Sequence, residues 1–209
     1  MPMMRQLLLI LLSMALLCVS SASASPIAIF STGVDGSGNP LSAGSADPHW
    51  TLNSTTAYVV SSPTGNGWIA NPANAQWISA NSGGLPDVGT FAYTTTFDLT
   101  GLNLSGVTIV GNVAVDDSAQ VYLNGVNILN DNVALNTAAW SYFVPFTINS
   151  GFVQGVNTLS VSTYNVGGPG GLLFQIESAT TPEPGTLGML LIGSLAGLAG
   201  ALRRGWRPF

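Results

Sequence analysis

Between Arg5 and Arg203 the chain contains neither lysine nor arginine. No other feature restricts its folding more. All four basic residues (Arg5, Arg203, Arg204, Arg207) sit near the two ends. The stretch from Ser25 to Thr181 has eight acidic residues against no Lys or Arg, a formal charge of −8. Few strong helix formers remain, because Lys and Arg are gone and Glu is scarce. Gly, Ser, Thr, Asn and Val take their place, a composition that favours strands kept soluble by uncharged polar groups. Function classes are excluded as well. A surface without cations cannot neutralise phosphates, which removes nucleic acid as a partner, and anionic lipid headgroups are poor partners for the same reason.

The two ends read as addresses. Arg5 followed by the apolar run Leu7–Leu17 and by Ala22-Ser23-Ala24 has the layout of a secretory leader. Cleavage is expected after Ala24, leaving Ser25 as the new first residue. Cys18 is the one cysteine and departs with the leader; it lacks the preceding small residue that a lipoprotein signal needs. The remaining domain therefore has no disulfide and must stand on its core. At 157 residues from Ser25 to Thr181 it is large enough to do so. Near the other end, Leu187–Leu202 is apolar and as a helix would span roughly 24 Å, short for a bilayer but sufficient with local thinning. Arg203, Arg204 and Arg207 follow it, which favours a cytoplasmic C-terminus. The organisation expected is a leader at 1–24, a β domain at 25–178, a tether at 179–184, a membrane helix at 185–202 and a basic tail at 203–209.

Within the domain the hydrophobic period is two. Phe91, Tyr93, Thr95, Phe97 and Leu99 alternate with Ala92, Thr94, Thr96 and Asp98, which predicts a strand with one face inward. Val107–Val115, Asn157–Asn165 (Leu159 and Val161 inward) and Leu172–Glu177 repeat the pattern. Phe143–Ile148 adds a fifth strand, and Pro145 within it suits an edge. Asn124-Gly125 predicts a two-residue type I′ hairpin that pairs Leu123 with Val126, Tyr122 with Asn127 and Val121 with Ile128. That register sets all four apolar residues on one face. Gly33–Asp47 and Ser61–Gly89 are dense in Gly, Pro, Asn and Ser and read as long irregular segments. The fold class expected is all-β, a single antiparallel β-sandwich.

Two resemblances follow from these residues. Pro182-Glu183-Pro184, the apolar segment and Arg203-Arg204 occur in that order at the chain end, and together they resemble a PEP-CTERM sorting signal. The resemblance implies export, recognition by an exosortase-like processing protein, at least transient residence in the inner membrane, and delivery to a cell surface or an exopolysaccharide matrix such as a biofilm. Separately, Asp116–Gly125 with its Val121, Leu123, Asn124 and Gly125, and the later Gly155-Val156-Asn157-Thr158-Leu159-Ser160-Val161, are similar to motifs of galactose-binding-like jelly rolls. That family implies the fold and, as a tendency, carbohydrate binding.

Candidate site residues each have a structural alternative. Trp68 and Trp140 lie in loop contexts, where an indole can stack on a sugar ring or anchor its own loop; Trp50 and Trp77 lie in strand-like patterns and are expected in the core. Asp116 and Asp117 can bind a sugar or ligate calcium, or accept backbone N–H bonds in a turn. Asp35, Ser37 and Asn39 place oxygens at alternate positions as a calcium loop does, but lack its downstream bidentate Glu. No cofactor is expected, with calcium the one ion that these oxygens suit. His49 is a lone histidine beside Trp50 and reads as structural. Catalysis is not expected: glycoside hydrolysis needs two positioned carboxyls, and only Asp116 and Asp117 are adjacent. The sequence thus points to an exported, non-catalytic domain that binds or is embedded in extracellular polysaccharide. A structural or adhesive protein without a sugar pocket is the alternative, and a secreted hydrolase a more remote one.

Overall fold

The computed structural model describes residues 25–84, 87–128 and 139–181. The expected leader up to Ala24, Pro182-Glu183-Pro184, the apolar helix and Arg203-Arg204 lie outside the described residues. Strands β1 (Ser25–Pro26), β2 (Ala46–Leu52), β3 (Thr55–Val59), β4 (Ile78–Ser79) and β5 (Gly89–Asp98) come first. They are followed by β6 (Thr108–Asp116), β7 (Ser118–Leu123), β8 (Val126–Asn127), β9 (Val144–Ile148), β10 (Val156–Asn165) and β11 (Gly171–Thr181). All pairings are antiparallel, in the order β8-β7-β10-β5-β2-β3-β4-β11-β6-β9, with β1 added to β11.

One hydrogen-bonded ladder folds over on itself, so the expected antiparallel sandwich forms without two separate sheets. The crossing lies at the β2–β3 hairpin, where the register shifts between Ala46 and Thr51. Tyr93, Phe97, Leu159, Val161, Val121 and Leu123 from one half share a core with Ile109, Val113, Val115, Leu172 and Phe174 from the other. Trp50 of β2 meets Phe174 of β11 with ring centroids 5.3 Å apart. The alternation read from the sequence is thus the division between core and surface.

The Asn124-Gly125 hairpin has the anticipated geometry: φ is 52° and 81°, and Leu123 pairs with Val126 and Tyr122 with Asn127. Val126, though on the inward face by register, is 63% exposed, because β8 ends the ladder and is only two residues long. Pro145 sits on β9 at the opposite end of the order, opposite Asn112, an edge position as expected.

The two jelly-roll-like motifs meet. Asn157 is fully buried and makes four hydrogen bonds, accepting from Asn124 Nδ2 (2.9 Å) and Val153 N (2.9 Å) and donating to Val153 O (2.8 Å) and Gly155 O (2.9 Å). Asn124 Oδ1 in turn accepts from Thr158 N at 2.9 Å. The recurring asparagines are therefore one turn-locking unit.

Three features depart from the sequence reading. The β2–β3 hairpin went unread, since its turn is Asn53-Ser54 with φ of 46° and 61°, the same positive-φ geometry without the glycine that signals it. Residues 179–181, expected as tether, continue β11, where Thr180 and Thr181 pair with Pro26 and Ser25. Finally, β6 and β11 are buried on both faces at one end: Ala114 and Leu173 point outward, yet are covered by Val60, Trp68, Ala75 and Trp77 from the irregular 60–84 segment.

Candidate functional site

The outer face of β5, β10 and β7 is built from the polar half of the alternation. In register across the three strands stand Thr90, Tyr164 and Ser118; then Ala92, Ser162 and Gln120; then Thr94, Ser160 and Tyr122. None of these nine is charged, and seven carry a hydroxyl. The Tyr122 hydroxyl donates to Gln120 Oε1, fixing both side chains on the surface. At the Tyr164 end the face dips into a groove of about 370 Å³ whose lining includes Thr90, Ser118, Gln120, Ser162 and Tyr164. The Tyr164 ring is 47% exposed there, an aromatic at an outward strand position with no core to fill.

The loop bordering the groove is tied down by Asp117, the single residue between β6 and β7. Its amide donates to Tyr164 O at 3.3 Å, and its Oδ2 accepts from Val166 N at 2.8 Å. Asp116 faces the other way. It is 7% exposed, and its Oδ2 accepts from Trp68 Nε1 at 2.8 Å. Burial pushes the Asp116 carboxyl up to about 7; the Trp68 bond opposes this, and the hydrogen bond and negative charge of Asp117 add to it. In its neutral form Asp116 is the donor to Asp117. A chain of contacts therefore runs from Trp68 through both carboxyls to the groove's rim.

This geometry corrects part of the expected site. Trp68 is 3% exposed and is no platform for a sugar: it packs against Trp77 with centroids 4.3 Å apart, and a Cβ at Gly171 would lie 2.8 Å from its ring. The physical reason is the bare outer face at Ala114 and Leu173, which the indole covers. Asp116 is likewise interior and committed to Trp68, so it is not a direct ligand. Trp140 is half-buried against the same cluster and its carbonyl accepts from Ile69 N at 2.8 Å, an anchor more than a free surface. Trp68, Trp140 and Asp116 do come together, but in packing. Of the four, only Asp117 borders the groove, and it does so as a clamp on the loop after Tyr164.

The other candidates are local. Asp35 Oδ1 accepts from Ser37 N (2.8 Å) and Asn39 N (2.9 Å), which holds its carboxyl below the usual range, and Asn39 Nδ2 donates to the same carboxylate. The Asp35 carboxylate thus serves a turn, with Ser37 and Asn39 contributing N–H donors. Asp47, buried, accepts from the amides of Gly33, His49 and Trp50. The His49 ring stacks on Phe30 at 3.8 Å and 10°. Trp50 and Trp77 are in the interior, each with its indole N–H donated to a carbonyl. Among the described residues no group of three or more His, Cys, Asp or Glu could hold a metal.

The groove residues Thr90, Ser118, Gln120, Ser162 and Tyr164 escaped sequence reading. Their signal was the outward set of the Asn157–Asn165 strand, in which Tyr164 stands where a polar residue is usual.

No protein-family model matches the chain, and no curated protein matches it. Among solved structures it is similar to CBM35 from Paenibacillus barcinonensis, at 18% identity over 63% of this chain and 94% of that one, with a TM-score of 0.37. It is also similar to parts of a β-glucosidase from Kluyveromyces marxianus, at 14% identity, 50% of this chain, 11% of that one and a TM-score of 0.28. A GH31 α-xylosidase from Xanthomonas citri matches at 10% identity, 77% of this chain, 18% of that one and a TM-score of 0.28.

Proposed function

We propose that the Ser25–Thr181 unit is an exported, non-catalytic carbohydrate-binding domain that holds a polysaccharide chain in the groove beside Tyr164. The observation that carries this reading is an outward aromatic ring beside an uncharged, hydroxyl-rich floor. A pyranose has an apolar C–H face and a polar rim, and the groove is divided in the same way. Serine and threonine hydroxyls both donate and accept, so they can answer sugar hydroxyls of either sense. Such a site is concave with few polar fixtures, as small-ligand sites are. The carboxyl pair supports binding over hydrolysis: Asp116 is interior and bonded to Trp68, so the two acids do not straddle a bond in the way glycoside cleavage needs. On the same reading the tail is an address. Pro182-Glu183-Pro184, the apolar segment and Arg203-Arg204 are handled by an exosortase-like protein at the inner membrane, which delivers the domain to a surface polysaccharide matrix.

The test is retention of the wild type and Tyr164→Ala on a panel of polysaccharides, with and without calcium. Loss of the ring is expected to weaken retention about tenfold, the equivalent of ~1.4 kcal/mol, with the fold retained and the stability lowered by no more than about 1 kcal/mol, because the ring is half exposed. Absence of retention on every polysaccharide refutes the reading. Mass spectrometry of the protein from its host tests the address: the expected masses begin at Ser25 and end near Pro184, and an intact tail would overturn the processing step.

A further inference from the structure

The electrostatic surroundings of the groove narrow the kind of glycan it accepts. This inference rests on the carbohydrate reading above. The outward lining (Thr90, Ser118, Gln120, Ser162, Tyr164) is uncharged, and the chain offers no Lys or Arg between Arg5 and Arg203. The one histidine is stacked on Phe30 and belongs to a different part of the fold. The ionisable groups at the rim are acidic. Asp117 clamps the loop after Tyr164 through Val166 N. Asp87 is brought to the same loop by its carbonyl, which accepts from Asn165 Nδ2 at 3.2 Å.

Main-chain N–H groups are the other means of holding an anion, and three of the four in the glycine-rich loop beside the groove are already engaged. Val166 N donates to Asp117, Gly167 N to Asn165 Oδ1, and Gly170 N to Gly84 O. A uronate or sulfate entering the groove would lose water without gaining a cationic partner, and the charges bordering the groove, on Asp117 and Asp87, are of its own sign.

We propose that the groove takes glycans without anionic groups, whether uncharged or amine-bearing, and rejects uronate- and sulfate-bearing chains. Rejection is partly a field effect, so it depends on ionic strength. The Debye length falls from about 30 Å at 0.01 M salt to about 10 Å at 0.1 M, and discrimination should shrink with it.

The experiment compares retention of the full-length chain, in a zwitterionic detergent and EDTA, on a neutral glucan, a glucosamine polymer, polygalacturonate and a sulfated glycan. At 0.01 M salt the neutral and amine-bearing polymers are expected to be retained at least tenfold more strongly than the two anionic ones. The gap narrows to a few-fold at 0.1 M and above. Asp87→Asn, which alters an exposed side chain outside the groove lining, raises polygalacturonate retention about threefold at low salt and leaves the neutral glucan unchanged. Polygalacturonate held as tightly as the neutral glucan in EDTA would overturn the inference while leaving the carbohydrate reading intact. A preference indifferent to salt and to Asp87→Asn would also overturn it. Absence of retention on all four polymers, in EDTA and again with calcium supplied, would sink the carbohydrate reading and this inference together.

Discussion

Replacing Asp116 with asparagine should stabilise the protein at neutral and alkaline pH and remove most of its pH dependence there. In the fold the Asp116 carboxyl is pushed up to about 7, chiefly by burial. In the unfolded chain an aspartate titrates near 3.9. Between about pH 4 and pH 7 the folded state therefore holds a proton that the unfolded state has lost. The extra proton is bound by the native side, so stability falls as pH rises through that window and levels off above it. The slope is at most about 1.4 kcal/mol per pH unit and halves as pH 7 is reached, which gives ~2 kcal/mol between pH 5 and pH 7. At this size that corresponds to roughly 4–9 °C in the unfolding midpoint. Asp47, also raised by burial, adds a contribution of the same sign. Asp35 and Asp98 are lowered by hydrogen bonds and act below the usual carboxylate range. Asparagine imitates the neutral carboxyl: its oxygen can accept from Trp68 Nε1 and its amide can donate to Asp117. Thermal unfolding followed by circular dichroism from pH 5 to pH 8 is the assay. A wild-type midpoint that stays flat from pH 5 to pH 7 refutes the reasoning, and so does an Asp116→Asn variant with the wild-type slope.

Two structural predictions can be checked by chemical denaturation. Asn157→Ala deletes four hydrogen bonds at a fully buried position and should cost about 2–4 kcal/mol. Asn157→Asp should cost at least as much, because an oxygen then faces the carbonyls of Val153 and Gly155; equal stability would show that the turn-locking unit does not matter. Glycines separate steric from conformational cost. Gly111→Ala puts a methyl onto the main-chain oxygen of Gln175 and the Phe146 ring and should cost more than about 3 kcal/mol or prevent folding. Gly125→Ala meets nothing within 4 Å but holds φ at 81°, so about 1–2 kcal/mol is expected. Similar losses at the two sites would contradict the packing described for β6 and β11.

Much of the fold is legible because the alternation and the turn chemistry agree. Tyr93, Phe97, Leu159 and Val161 are inward where period two places them, and Asn124-Gly125 encodes its own turn. Asn53-Ser54 adopts the same turn without encoding it, so the β2–β3 hairpin stayed hidden. Trp68 shows the limit for sites. Its neighbours in sequence, Gly65-Asn66-Gly67, suggest an exposed loop, and only the distant Ala114, Leu173 and Gly171 give the indole a surface to cover. Tyr164 is the converse case, an aromatic in a strand whose exposure depends on which strands lie beside it.

The charge of this domain, its β character and its central strands follow from residue type and short-range periodicity alone. Which aromatics are interior and which are exposed depends instead on how distant strands and loops come together. That assembly set the Asp116 carboxyl against Trp68 and the Asp117 clamp beside Tyr164, and it brought Asn124 to Asn157. Those relations join residues 33 to 49 positions apart. Register and burial across separate strands create them, and neither is written in any one segment of the chain.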